Sequence, residues 1–247
     1  MQRRTLILAA ALALPTQALV AQQAVKVLAT IAVQGAFAEI EPLLPAQSGV
    51  PVNVEFATTA ALVERLMNGE RADLAILTKE AVQQLQAERL VRSSTDLVLS
   101  VIGIAVGDDA PLPAMKTTED FVAFMRATPS IAYTARGVSG VHMARLLERL
   151  GLADVVRPKA TIVDGFAAAP LREGKVAAAV QQISELKFAG AQNIVPLPDE
   201  LQVATTFTVA VLTRATRADS AAQVLRALTS REAAAAYERS GASPLFK

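Results

Sequence analysis

The sequence predicts an α/β protein of two lobes, with mixed sheets flanked by helices and two crossover strands acting as the hinge. Three observations carry this. Strand-like and helix-like stretches alternate with short joints through the first part of the chain. Two long β-branched runs, "TDLVLSVIGIAVGDDAP" and "TTFTVAVLTR", bracket a second alternating stretch. The 247 residues, 52% of them apolar, suffice to bury the cores of two small domains.

The elements follow in order. Residues 1–21 read as a secretory signal peptide. "MQRR" is basic, "TLILAAALAL" is apolar, and "PTQALVA" offers small residues for cleavage after Ala18 or Ala21. "VKVLA" is a short apolar strand. "GAFAEIEPLL" places Phe37, Ile40 and Leu44 at helical spacing. "VNVEFA" alternates as a strand, and "ALVERLMNG" is a helix stopped by Gly69. "ADLAILT" is a third strand and "KEAVQQLQAERLV" a third helix. The run "TDLVLSVIGIAVGDDAP" then reads as one extended strand leaving the first sheet.

The middle unit contributes the helix "TTEDFVAFMRATP", capped by Thr117 or Thr118, and the strand "SIAYTA". The helix "GVHMARLLERLG" turns Met143, Leu146, Leu147 and Leu150 to the core, with His142 in its first turn. "GKVAAAVQQ" is a strand and "ISELKFAG" a short helix. After the return strand "TTFTVAVLTR", two closing helices are punctuated by Thr229 and Ser230 and ended by Gly241. Lobe 1 therefore spans 22–101 and 205–247, and lobe 2 spans 102–204.

The composition excludes several functions. No cysteine occurs, so disulfides, thiolate chemistry and a lipidated anchor are ruled out, and with a single histidine no zinc or thiolate metal site is expected. The net charge is +1 without a basic block, which predicts no nucleic-acid partner. No phosphate loop, dinucleotide fingerprint or nucleophile elbow is present, and no cofactor is expected. The mature chain is expected to be a monomer without a membrane anchor.

A ligand in this architecture sits between the lobes, at the carboxyl ends of the strands. Four strand-to-helix joints lead there: "ATIAVQG", "FATTAAL", "ARGVSGVH" and "VQQISEL". Helix N-termini offer unpaired N–H groups and partial positive charge, so a small anion is the expected guest. Thr58, Thr59 and Ser139 add hydroxyls, although such residues are also ordinary N-caps. Gln181 and Gln182 add amides. Arg136 suits a carboxylate clamp or a solvated loop. His142, Glu185 and Tyr133 are the available proton carriers, against structural roles for each.

"VLATIAVQGAFAEIEPLL", "FATTAALVERLMNGERADLAILT" and "GVSGVHMARLLERLGL" followed by "VVRPK" resemble the periplasmic molybdate-binding proteins, type II solute-binding proteins of ABC transporters. The resemblance spans nearly the whole mature chain. It implies a periplasmic receptor of two hinged α/β lobes serving an ABC permease. It also implies ligand contacts at Thr30, Ala32, Thr58 and Thr59, with backbone donors at Ser139 and Gly140. Gln181 stands where the family has a tyrosine, and Ala32 where it has a serine. With Arg136 nearby, these departures favour an organic carboxylate over molybdate or tungstate. A cofactor-independent aconitate isomerase is also similar to this family, so an enzyme on the same scaffold stays open, with His142, Glu185 or Tyr133 as its base.

Overall fold

A computed structural model describes residues 24–246; the expected signal peptide lies outside the described residues. The chain opens with β1 (Val25–Thr30), α1 (Gln34–Ile40), α2 (Leu44–Ser48), β2 (Val52–Ala57), α3 (Thr59–Met67), β3 (Leu74–Thr78), α4 (Lys79–Ala87) and β4 (Val91–Ser100). It continues with β5 (Ile102–Val106), α5 (Thr118–Ala127), β6 (Ile131–Thr134), α6 (Val138–Arg149), α7 (Ala153–Val156) and β7 (Ala160–Val163). Then come α8 (Ala168–Arg172), β8 (Ala178–Gln182), α9 (Ile183–Phe188) and β9 (Asn193–Pro196). It closes with β10 (Thr205–Leu212), α10 (Ala218–Leu228), α11 (Arg231–Ser240) and β11 (Ser243–Pro244).

These strands form two sheets, ordered β11-β4-β10-β3-β1-β2 and β7-β6-β8-β5-β9. β1 pairs in parallel with β2 and β3, while β10 runs antiparallel to β3 and β4. In the second sheet β6 is parallel to β7 and β8, and β5 is antiparallel to β8 and β9. Alternation splits each core in two. Val25, Val27 and Ala29 of β1 point to one side of the first sheet and Leu28 to the other. Ile131 and Tyr133 of β6 are divided from Ala132 in the same way. Helices cover both faces of each sheet, as buried parallel strands require.

The chain crosses between the sheets twice. It leaves after Ser100 and returns at Thr205. The run read as one crossover strand is two strands with only Val101 between them. The return link is Gln202–Ala204, and all of β10 belongs to the first sheet. A single strand could not serve both sheets, because β4 pairs with β10 while β5 pairs with β8 and β9. Gln202 ties the two links together. Its Oε1 accepts from Ile102 N–H at 2.9 Å and its Nε2 donates to the Ile102 carbonyl at 2.9 Å.

Other boundaries also differ from expectation. α4 stops at Ala87 because Arg89 turns at φ 58°, and Val91 already begins β4. α6 begins at Val138, so His142 occupies its second turn. β7, β9 and α8 span only four or five residues each, too short to show a period. Thr117, rather than Thr118, caps α5 through a capping box with Asp120.

Candidate functional site

Five joints between strand ends and helix or 3-10 starts meet at one cleft of about 620 Å³ between the sheets. They are Thr30, Thr58 before α3, Thr78 before α4, Gly137 before α6 and Gln182 before α9. The joint at Thr78 is a strand-to-helix boundary already legible between "ADLAILT" and "KEAVQQLQAERLV", but it is not one of the four expected at the cleft. Thr58 and Thr78 are true N-caps, each Oγ1 accepting from the third following N–H at 3.3 Å. The N-terminal N–H groups of α3, α4 and α6 thus border the same space.

The walls follow helical spacing. α3 presents Thr59, Ala60 and Val63, and α4 presents Glu80, Ala81 and Gln84. Across from them α6 presents Val138, Val141, His142 and Arg145, a stripe at i, i+3, i+4 and i+7. The opposite face of α6 carries Ser139, Gly140 and Met143 into the core. Hence Ser139 and Gly140 do not line the cleft. Ser139 is buried, and a Cβ on Gly140 would fall 1.7 Å from the Thr134 carbonyl oxygen. Gly140 therefore lets α6 approach the end of β6.

Two more expected residues lie elsewhere. Ala32 packs into the core of the first sheet, and its neighbour Ile31 reaches the cleft instead. Tyr133 packs among Ile131, Met143 and Leu147, because alternation along β6 gives the cleft to Thr134. Thr30, Thr58, Thr59, Arg136, Gln181, Gln182, His142 and Glu185 all line the cleft, together with the unforeseen Thr78, Thr134, Arg145 and Thr205.

Their side chains are not equally free. Gln181 accepts from Ala167 N–H and donates to the Gly165 carbonyl, both at 2.7 Å, so its amide is committed to the loop before α8. Gln182 Nε2 donates to Thr205 Oγ1 at 3.0 Å, bridging the two sheets. His142 Nε2–H donates to the Leu201 carbonyl at 2.8 Å, which leaves Nδ1 as the remaining polar atom of the ring. Arg136 is 63% exposed and pairs with Glu64 of α3 at 3.3 Å, across the mouth.

Four buried side-chain polar atoms lack a partner among the described residues: Thr59 Oγ1, Thr134 Oγ1, Gln182 Oε1 and Tyr237 OH. The first three belong to residues lining this one cleft. Buried polar groups are nearly always satisfied, so three unpaired atoms on residues around one cleft set this region apart from the rest of the interior.

Glu185 stands apart. It is the third residue of α9, buried, and in no ion pair among the described residues. Its Oε2 accepts from Gln182 N–H at 3.3 Å. Burial pushes its carboxyl up to about 8, against the downward pull of that N–H and of the Gln181 amide. The cleft thus holds a carboxyl group able to carry or release a proton near neutral pH.

Two facing α/β sheets with a polar cleft at their helix N-termini define the class of two-lobed ligand-binding proteins. The chain belongs to the bacterial extracellular solute-binding protein family, whose profile matches residues 25–242. It is 31% identical over 253 residues to an aconitate isomerase of a Pseudomonas species, covering 98% of this chain and 96% of the relative. Its fold matches the periplasmic molybdate-binding protein of Azotobacter vinelandii with a TM-score of 0.72 at 13% identity, over 88% of this chain and 98% of the other. L-phospholactate-bound PEB3, a protein of Campylobacter jejuni, matches with a TM-score of 0.67 at 18% identity, over 89% and 99%. Among the described residues no helix is long and apolar enough to cross a membrane.

Proposed function

We propose that the protein is a cofactor-independent isomerase of aconitate type, exported to the periplasm, which binds a small polycarboxylate in the cleft and moves one proton along it. The observation that carries this is Glu185. An ionised carboxylate repels a fully deprotonated oxyanion, so a buried carboxyl group lining the cleft suits a ligand with which it exchanges a proton. A proton-transfer enzyme needs such a group, with its pKa near the working pH. The full-length relatedness to an aconitate isomerase supports the same reading.

The cleft chemistry supports an organic guest as well. Val63, Val138, Val141 and Val203 give it apolar walls, and about 620 Å³ falls within the usual range for a small-molecule site. In the reaction, Glu185 as the carboxylate removes a proton from the methylene carbon of aconitate. The C–H electron pair enters the allylic system and the double bond moves by one position. The same proton is returned at the other end, so no co-reactant is required. The helix N-termini bordering the cleft stabilise the charge that develops on the substrate carboxylates. His142, held through Nε2, offers Nδ1 as a second proton acceptor or donor.

The test is direct. Purified protein incubated with cis-aconitate in heavy water is expected to form trans-aconitate, followed by proton NMR. Binding without interconversion would favour the second reading, a receptor that delivers the anion to an ABC permease. Family membership and two sheets linked only through Val101 and Gln202–Ala204 support that alternative, since those links suit lobes that close on a ligand.

A further inference from the structure

We propose that Arg145 reads a carboxylate of the substrate that a dicarboxylate lacks, and so sets the preference for tricarboxylates. The inference rests on the isomerase reading above.

Charge is unevenly placed in the cleft. The floor around Glu185 offers neutral donors and one uncharged acid at neutral pH. Two guanidinium groups occur among the lining residues, both on the side of the second sheet. Arg136 is already engaged with Glu64. Arg145 is exposed and takes part in no ion pair or side-chain hydrogen bond among the described residues. It lies on the same stripe of α6 as His142, one turn further from the helix start. Glu80 faces the cleft from α4 on the opposite wall, yet no ion pair joins it to Arg145.

An exposed arginine that lines the cleft and holds no partner of its own among the described residues is suited to an anionic group that arrives with the ligand. Its planar fork favours a carboxylate bound through both oxygens. The carboxylate that distinguishes a tricarboxylate, on the arm that also bears the reacting methylene, is the group that falls to Arg145.

The comparison ligand is citraconate, which has a methyl group where cis-aconitate has that arm. Binding of both is measured by calorimetry, and turnover of cis-aconitate by NMR, for the wild type, Arg145→Gln and Arg145→Lys. Arg145→Gln is expected to weaken cis-aconitate binding by about tenfold or more, the scale of a hydrogen bond to a charged group. Citraconate binding should change less than about twofold, and Arg145→Lys should recover part of the loss. Equal weakening of both ligands, or of neither, overturns the assignment. Wild-type binding of cis-aconitate without turnover overturns the isomerase reading alone and leaves the two-ligand comparison to decide Arg145. Absence of any cis-aconitate binding by the wild type overturns both.

Discussion

Two glutamates show how differently this molecule treats the same side chain. Glu70 lies in a charge network with Lys26 of β1, Glu55 of β2 and Arg65 of α3. Hydrogen bonds from Arg65 and then Lys26 hold its carboxyl down at about 2. Glu185 lies between the sheets without a cation, and burial raises it to about 8. The first carboxylate is ionised throughout the neutral range and serves packing between elements of one sheet. The second is poised to exchange its proton. Strong perturbation marks both, so perturbation alone does not identify a site; Glu185 stands out because it also lines the cleft.

The largest effect that tests this contrast is on turnover. Glu185→Gln keeps the shape and removes the proton carrier, and should lower kcat for aconitate interconversion by about 10²- to 10⁴-fold. In the wild type, kcat/KM should rise with pH and level off above about 8, as the carboxylate form accumulates. A pH-independent profile would remove Glu185 from the reaction.

The second effect is on stability. The folded protein holds a proton on Glu185 that the unfolded chain releases near 4.5. Stability from this group is therefore fully present below about 4.5 and is lost as pH rises toward 8, by about 1.4 kcal/mol per pH unit. Urea melts of the wild type and Glu185→Gln across that window should diverge, with the variant the more stable at pH 8. Parallel curves would mean that the carboxyl is already ionised in the fold.

A third change moves the cleft wall without touching a charge. Gly140→Ala drives a methyl group into the Thr134 carbonyl, so α6 must shift. Thermal melts should report about 1–3 kcal/mol of destabilisation, and ligand binding should weaken with it. Unchanged binding would separate the stripe of α6 from the ligand.

The smallest effect belongs to the network. Glu70→Gln should cost about 1 kcal/mol at neutral pH, because its partners stay partly exposed and screened by solvent. Glu70 has its folded pKa depressed, so its contribution is present above about 4.5 and fades as pH falls through about 2. Acid titration of stability should show the two glutamates acting in opposite directions.

Much of this was legible in the chain. Periodicity of 2 and of 3.6 marked β2, α3 and α11, and apolar or β-branched runs marked β1 and β10, to within a few residues. Two long β-branched runs announced that the chain crosses between two sheets. Thr58, Thr59, Gln182 and Glu185 drew attention because they stand where strands give way to helices. β7 and β9 escaped notice because their residues are only partly buried and carry a weak pattern.

Sequence by itself determined the alternation of elements, the strand-to-helix joints and the absence of thiol chemistry, because these depend on local spacing and composition. Tertiary structure decided which side chains share the cleft. It turned Ser139, Gly140 and Tyr133 into the core, exchanged Ala32 for Ile31, and brought in Thr78, Thr134 and Arg145. It also decided the state of Glu185, whose proton affinity follows from burial without a counter-charge among the described residues. Burial is a property of everything packed around a group, and no local stretch of chain encodes it alone.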